Sequence, residues 1–212
     1  MRGKKINKKF MGVLVGMLFL LLGGGHFLYK HFEQPKALAN VDYSLLSDLD
    51  IVMGDAEAPI TIIEYSSLTC GHCAHFHNEV LPKIKRRFID TGKVRFIFKH
   101  FPLDQRAIDA AVVLSQVPKL RQAQTLARLF ERQNHWISDQ GHRALSEICQ
   151  LDPQKCLQFI KNQEKVDAFL KSRLEAEKMM NINATPTFIV QGKVIPYAPT
   201  YEEIERLIEP NF

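Results

Sequence analysis

The stretch Ile62-Ile63-Glu64-Tyr65-Ser66-Ser67-Leu68-Thr69-Cys70-Gly71-His72-Cys73 joins an apolar run to two closely spaced cysteines. Residues 60–66 predict a β-strand, because β-branched and aromatic side chains predominate. Residues 74–88 predict a helix, because apolar residues recur at three- and four-residue spacing. A cysteine pair between a strand and a helix favours a redox dithiol over half of a metal site.

The rest of the chain alternates short strands with helical patterns, which predicts an α/β architecture. The expected elements are a strand at 94–98, a helical stretch at 104–181, strands at 187–190 and 194–195, and a last helix at 201–208. Thr200 is the expected N-cap of that last helix.

The N-terminus carries the pattern of an export signal. Five basic residues and no acidic residue lie among the first nine, and an apolar run follows at 10–29. The run is about 20 residues long, enough to span a bilayer as a helix. We expect an uncleaved membrane anchor, or alternatively a signal peptide cut after Ala39.

The net charge of +5 belongs to that basic arm, because the remainder of the chain has nearly equal numbers of basic and acidic residues. A nucleic-acid-binding protein would need a basic stripe or patch on its folded part, and the sequence has none. Residues 30–50 are polar and irregular, and are expected to form a linker. The exported part would face an oxidising compartment, where disulfides persist.

Cys149 and Cys156 are the other two cysteines. In one continuous helix their positions would lie about 10 Å apart, beyond the reach of a disulfide, about 7 Å. Asp152-Pro153 predicts a fresh helix start between them, and a helix–turn–helix can bring the sulfurs together. We expect a structural disulfide; two buried free thiols are the alternative.

Cys70 would begin the helix that follows it, where unpaired N–H groups and the helix dipole favour a thiolate. That position lowers a thiol pKa and makes Cys70 the expected nucleophile. His72 is expected to add positive charge or a hydrogen bond to the thiolate. Cys73, one turn further and partly buried, is the expected resolving thiol.

Four segments together resemble the DsbA family of thioredoxin-fold thiol:disulfide oxidoreductases. They are residues 62–73, His100-Phe101-Pro102-Leu103, the stretch 126–133 with Trp136, and Ala184-Thr185-Pro186-Thr187-Phe188-Ile189-Val190. The resemblance implies a thioredoxin fold with an inserted all-helical domain, preceded here by the membrane segment. The implied boundaries are 1–29 arm and anchor, 30–50 linker, 51–103 first thioredoxin part, 104–181 helical insertion and 182–212 second thioredoxin part.

The same resemblance assigns roles to three further residues. Glu64 would be a partly buried acid below Cys73 that passes the proton of the resolving thiol. The Thr185–Pro186 bond would be cis and face the active site. Main-chain groups of Thr185 beside Cys70 would then pair with an extended substrate segment.

The implied activity is the introduction of disulfides into exported proteins, with no cofactor or metal. Its substrates would be unfolded or reduced exported proteins in the periplasm, and its reoxidant a DsbB-like membrane partner. The chain has no additional dimerisation domain, so a monomer is expected. Gly71-His72 also occurs in protein disulfide isomerases, so a reductase or isomerase remains open.

A metal-binding or interaction protein is the alternative from another class. Cys70, His72, Cys73, His75 and His77 supply enough ligands for zinc. Four convergent ligands usually come from two separated pairs, however, and the chain has no second pair of that spacing. We therefore interpret His75 and His77 as solvated or half-buried helix residues.

Overall fold

The computed structural model describes residues 46–138 and 141–211. At its centre is a five-stranded sheet of order β1-β3-β2-β4-β5. The strands are β1 Ile51–Met53, β2 Ile60–Ser66, β3 Val94–His100, β4 Thr187–Val190 and β5 Lys193–Ile195. β2 and β3 are parallel and the other neighbours are antiparallel. β2 is therefore a central strand, which explains its nearly continuous apolar sequence.

The helix after the cysteine pair is longer than the predicted one and is not uniform. It comprises α1 Gly71–His75, a π-helical turn Phe76–Val80, α2 Leu81–Ile84 and a second π-helical turn Lys85–Ile89. Pro82 lies just beyond the first π turn. Because proline has no N–H, it cannot donate to the carbonyl one turn earlier, which favours a local change of hydrogen-bonding pattern there.

The described residues between β3 and β4 form six helices, in agreement with the predicted helical pattern. They are α3 Gln105–Ser115, α4 Lys119–Glu131, α5 Gln133–Trp136, α6 Gly141–Cys149, α7 Pro153–Phe159 and α8 Gln163–Met180. The last helix, α9 Tyr201–Ile208, begins at the expected N-cap, since Thr200 and Glu203 form a reciprocal capping box. A thioredoxin-like α/β fold with a helical insertion results.

The sheet buries a hydrophobic core on each face. Successive side chains of a strand alternate between faces. Ile62 and Phe96 belong to the larger core, which the helices cover, and Ile63 and Ile97 belong to the smaller one. By the same alternation, Glu64 lies on the face of Ile62, in the larger core.

The N-terminal part contains one strand that was not predicted, and several of its predicted features lie outside the described residues. β1 was not predicted, because three residues with one exposed side chain carry too little pattern. The membrane segment 10–29, the cleavage site at Ala39 and most of the linker 30–50 lie outside the described residues. Within 46–138 and 141–211, no helix combines the length and apolar character that a bilayer crossing requires.

Candidate active site

Cys70 is the N-cap of α1, so its sulfur sits where the helix has unpaired N–H groups. The backbone N–H of Cys73 donates to Cys70 Sγ over 3.4 Å. Cys70 is partly exposed, whereas Cys73 is fully buried. One thiol of the pair is thus open to a partner and the other is not.

The surroundings of Cys70 lower its pKa to about 5. The largest cause is a hydrogen bond from the Cys73 thiol; Thr185 and the backbone N–H groups of Cys73 and His72 contribute less, and partial burial opposes them. His72 therefore acts through its main chain, and its side chain is exposed. Among the described residues, no hydrogen bond from the imidazole of His72 to Cys70 Sγ supports the expectation that this side chain stabilises the thiolate.

Burial raises the pKa of Cys73 strongly, and its hydrogen bond to Cys70 and the charge of Glu64 act in the same direction. Near neutral pH, Cys73 is therefore a thiol while Cys70 is a thiolate. Thiol–disulfide exchange requires a thiolate as nucleophile. This asymmetry allows Cys70 to react first with an external sulfur and requires Cys73 to lose a proton before it can react.

The second half of the site comes from the loop before β4. The Thr185–Pro186 peptide bond is cis, as the resemblance to the DsbA family implied. Cys70 Sγ lies 3.5 Å from the carbonyl oxygen of Thr185, to which it donates when Cys70 is protonated. The antiparallel pairing of β4 with β2, in which Thr187 lies opposite Tyr65, brings this distant loop to the cysteines.

Glu64 is fully buried, deeper than the partial burial expected for it. Its Oε2 atom lies 2.7 Å from Nε2 of His77, which is only 5% exposed. The interpretation of His77 as a solvated or half-buried residue was wrong; for His75, which is exposed, it was correct. His77 lies four positions after Cys73, so both face the sheet, and this spacing was the signal available in the sequence.

Gln133 is a site residue that the sequence did not reveal. Its side-chain amide donates to the carbonyl oxygens of Leu68 and Cys70, over 2.8 Å and 3.0 Å. Gln133 begins α5, so the helical insertion holds the active-site loop directly. Nearby Trp136 is a core residue, and its indole N–H donates to the carbonyl of Leu129.

The four cysteines are unbonded in the structure. Cys149 ends α6, and Cys156 lies in α7, which begins at Pro153 with Asp152 as N-cap, as predicted. Both sulfurs are buried, and burial raises the pKa of Cys149 to about 12, with the charge of Cys156 adding to the effect. The two are neighbours, and the disulfide between them stays a prediction.

The histidines around the cysteines do not share one direction. His72 and His75 are exposed and His77 points into the core. In the part of the chain that the structure describes, no three His, Cys, Asp or Glu side chains cluster as a metal site would require.

A thioredoxin family model matches residues 47–210 of the chain. Disulfide bond formation protein D of Bacillus subtilis is 27% identical over 166 residues, which cover 74% of this chain and 75% of that protein. A Rickettsia prowazekii relative, provisionally named a protein-disulfide oxidoreductase, is 28% identical over 155 residues. The chain spans only 56% of the length of that relative.

Solved structures are also similar to this chain. The crystal structure of Wolbachia pipientis alpha-DsbA1 has a TM-score of 0.70 and 28% identity, covering 76% of this chain and 89% of that one. Oxidised BdbD from Bacillus subtilis has a TM-score of 0.66 and 25% identity, covering 84% of this chain and 95% of that one. The chain belongs to the thioredoxin family and, within it, to the DsbA-type proteins.

Proposed function

We propose that this protein introduces disulfides into exported proteins by exchange through a Cys70–Cys73 redox pair. The observation that carries the proposal is the asymmetry of the two thiols. Cys70, opposite Thr185–Pro186, has its pKa lowered to about 5, and burial raises that of Cys73. A stabilised thiolate stabilises the reduced protein and makes its disulfide a stronger oxidant.

The reaction would proceed in two exchanges. A substrate thiolate attacks Cys70 Sγ of the disulfide, and Cys73 leaves and is protonated. A second substrate thiolate then attacks the substrate sulfur of the mixed disulfide. Cys70 leaves as a stabilised thiolate, and a leaving thiol of low pKa speeds this step. The substrate gains one disulfide and the protein keeps the two electrons as a dithiol.

Substrate binding would use the backbone of Thr185 beside Cys70, because an extended segment can pair with main-chain groups whatever its side chains. The name of the Bacillus subtilis relative, Disulfide bond formation protein D, supports the oxidising direction. Turnover then needs an oxidant, for which we propose a DsbB-like membrane protein. We further propose that the protein is a periplasmic monomer, held at the membrane by residues 10–29 or released by cleavage. We also propose the domain boundaries that were inferred from the sequence.

The test is oxidation of a reduced, unfolded model protein whose activity depends on its disulfides. The oxidised protein is expected to restore activity and to become reduced stoichiometrically. Cys70→Ser is expected to abolish the exchange. Cys73→Ser cannot form the internal disulfide and is expected to lose this oxidation. When it is given a substrate that already contains a disulfide, its Cys70 thiolate is expected to accumulate a mixed disulfide, because no resolving thiol remains.

Two results would contradict the proposal. Full oxidation by Cys70→Ser would show that Cys70 is not the reacting thiol. If the protein does not oxidise the reduced substrate but rapidly rearranges a substrate with scrambled disulfides, it belongs with the reductases or isomerases.

A further inference from the structure

Cys73 must exchange a proton each time the disulfide opens or closes, and it has no direct access to water. Its side chain is fully buried, and burial raises its pKa. In the proposed function, Cys73 leaves as a thiolate that takes a proton during substrate oxidation, and it loses that proton again during reoxidation. A buried group able to hold this proton must therefore lie nearby.

Glu64 and His77 form a buried carboxylate–imidazole pair next to this thiol. Glu64 Oε2 and His77 Nε2 lie 2.7 Å apart, and their side chains are 0% and 2% exposed. The other oxygen, Glu64 Oε1, is buried and has no hydrogen-bond partner among the described residues. The charge of Glu64 acts on Cys73, since it contributes to raising the pKa of that thiol.

Aromatic rings from three elements pack around His77. Its ring stacks on Phe130 of α4 with centroids 4.1 Å apart, and it makes T-shaped contacts with Phe98 and Phe96 of β3, with centroids 5.6 Å and 6.5 Å away. Phe76 of its own helix is 5.9 Å away. The carboxyl of Glu64 from β2 is thus the polar partner that the imidazole meets.

Two other titratable groups are close to these rings or to the pair. Cys73 lies one turn before His77. His100, at the end of β3, contacts Phe98, with ring centroids 4.9 Å apart. Burial, and then the charge of Lys119, lower the pKa of His100 to about 3, so this residue is neutral and carries no proton to the pair.

We propose that His77 is a positioning residue that holds Glu64 and shares its proton, so that the pair accepts the proton of Cys73 when Cys73 attacks and returns it when Cys73 leaves. During closure, the S–H bond of Cys73 breaks and its proton passes to the pair. A bond forms between the sulfurs of Cys73 and Cys70, and the partner sulfur leaves Cys70 with the electron pair as a thiolate. The pair changes from one net negative charge to neutral.

The imidazole is needed because an isolated buried carboxylate is costly. Without His77, the Glu64 side chain loses its hydrogen bond to the imidazole, and a buried carboxyl without a partner takes up a proton instead of remaining charged. A carboxyl that already holds its proton cannot accept another from Cys73. His77 thus keeps Glu64 available as an acceptor without contacting either sulfur.

Oxidised glutathione converts the reduced protein to its disulfide in two steps, and the experiment measures the rate of each. In the first step Cys70 attacks glutathione disulfide and forms a mixed disulfide; in the second Cys73 resolves it. Acid quenching followed by mass spectrometry counts the reduced, mixed and oxidised forms over time. The variants are His77→Phe, which keeps an aromatic ring, and His77→Gln, which keeps an N–H donor. His75→Phe, on the exposed side of the same helix, is the matched control.

We expect His77→Phe to slow the second step by about 10- to 100-fold, within the range of general acid–base effects, so that the mixed disulfide accumulates. The first step should stay within about twofold, because Cys70 is stabilised by other groups. In His77→Phe the second rate should rise about tenfold per pH unit, because Cys73 must then lose its proton to hydroxide. The native protein should show a shallower rise, and His77→Gln an intermediate rate.

A native second-step rate and pH profile in His77→Phe would overturn the inference, as would equal slowing of both steps, which indicates a structural role only. If His77→Phe does not fold, His77→Gln carries the same test, and a native pH profile in it overturns the inference. The inference rests on the proposed function, but their failures differ. A native protein that oxidised glutathione converts neither to the mixed disulfide nor to the Cys70–Cys73 disulfide contradicts the function itself.

Discussion

Replacing Cys73 by Ala should raise the pKa of Cys70, because the Cys73 thiol donates the largest stabilising hydrogen bond to the thiolate. A hydrogen bond to a charged group contributes about 1.5–3 kcal/mol. At about 1.4 kcal/mol per pKa unit, its loss corresponds to a rise of about 1–2 units. The pKa of Cys70 would then move from about 5 in the native protein to between about 6 and 7.

Titration of the ultraviolet absorbance of the thiolate measures this pKa in the reduced protein. Cys73→Ser is the matched control, because its hydroxyl keeps a donor and should leave the pKa of Cys70 within about half a unit of the native value. An unchanged pKa in Cys73→Ala would refute the role of the Cys73 thiol. A native pKa close to the free value, about 8.5, would refute the account of the whole site.

Three further outcomes follow from the structure. Gln133→Leu removes both amide hydrogen bonds to the active-site loop and should cost about 1–3 kcal/mol in the free energy of unfolding; an unchanged urea midpoint would contradict this. Thr200→Ala removes the capping box of α9 and should cost about 1 kcal/mol by the same assay, and an equal midpoint would argue against it. In the reduced protein, the folded pKa of Cys70 lies below its unfolded value. Its contribution to stability is therefore complete above about pH 8.5 and is lost as the pH falls through about 5. Urea unfolding of the reduced native protein and of Cys70→Ser across this pH range checks the direction of the effect. A difference in unfolding free energy that does not change with pH would contradict it.

The local parts of the site were predictable because they depend on neighbouring residues. The strand at 60–66, the helix after it and the position of Cys70 at the helix start follow from propensity and periodicity. The burial of Cys73 one turn later follows from the same helix. The helix start at Pro153 and the cap at Thr200 are likewise local signals, and the structure has both.

The contacts of the site between residues distant in sequence could not be predicted from local sequence patterns alone. Thr185 lies 115 positions after Cys70, and only the resemblance to the DsbA family suggested that the two meet. Gln133 has no local signal, because its partners are backbone carbonyls that any sequence could supply. His77 was misjudged although its spacing from Cys73 was visible, because a histidine on a helix is usually solvated and its partner Glu64 lies on another element.

The redox state of Cys70 and Cys73 in intact cells tests the central claim most directly. Rapid acid quenching followed by alkylation with a mass-tagged thiol reagent separates the disulfide from the dithiol. A protein that oxidises exported substrates and is itself reoxidised should be found mostly as the disulfide. A pair found mostly as the dithiol would contradict the proposed function and indicate a reductase or an isomerase.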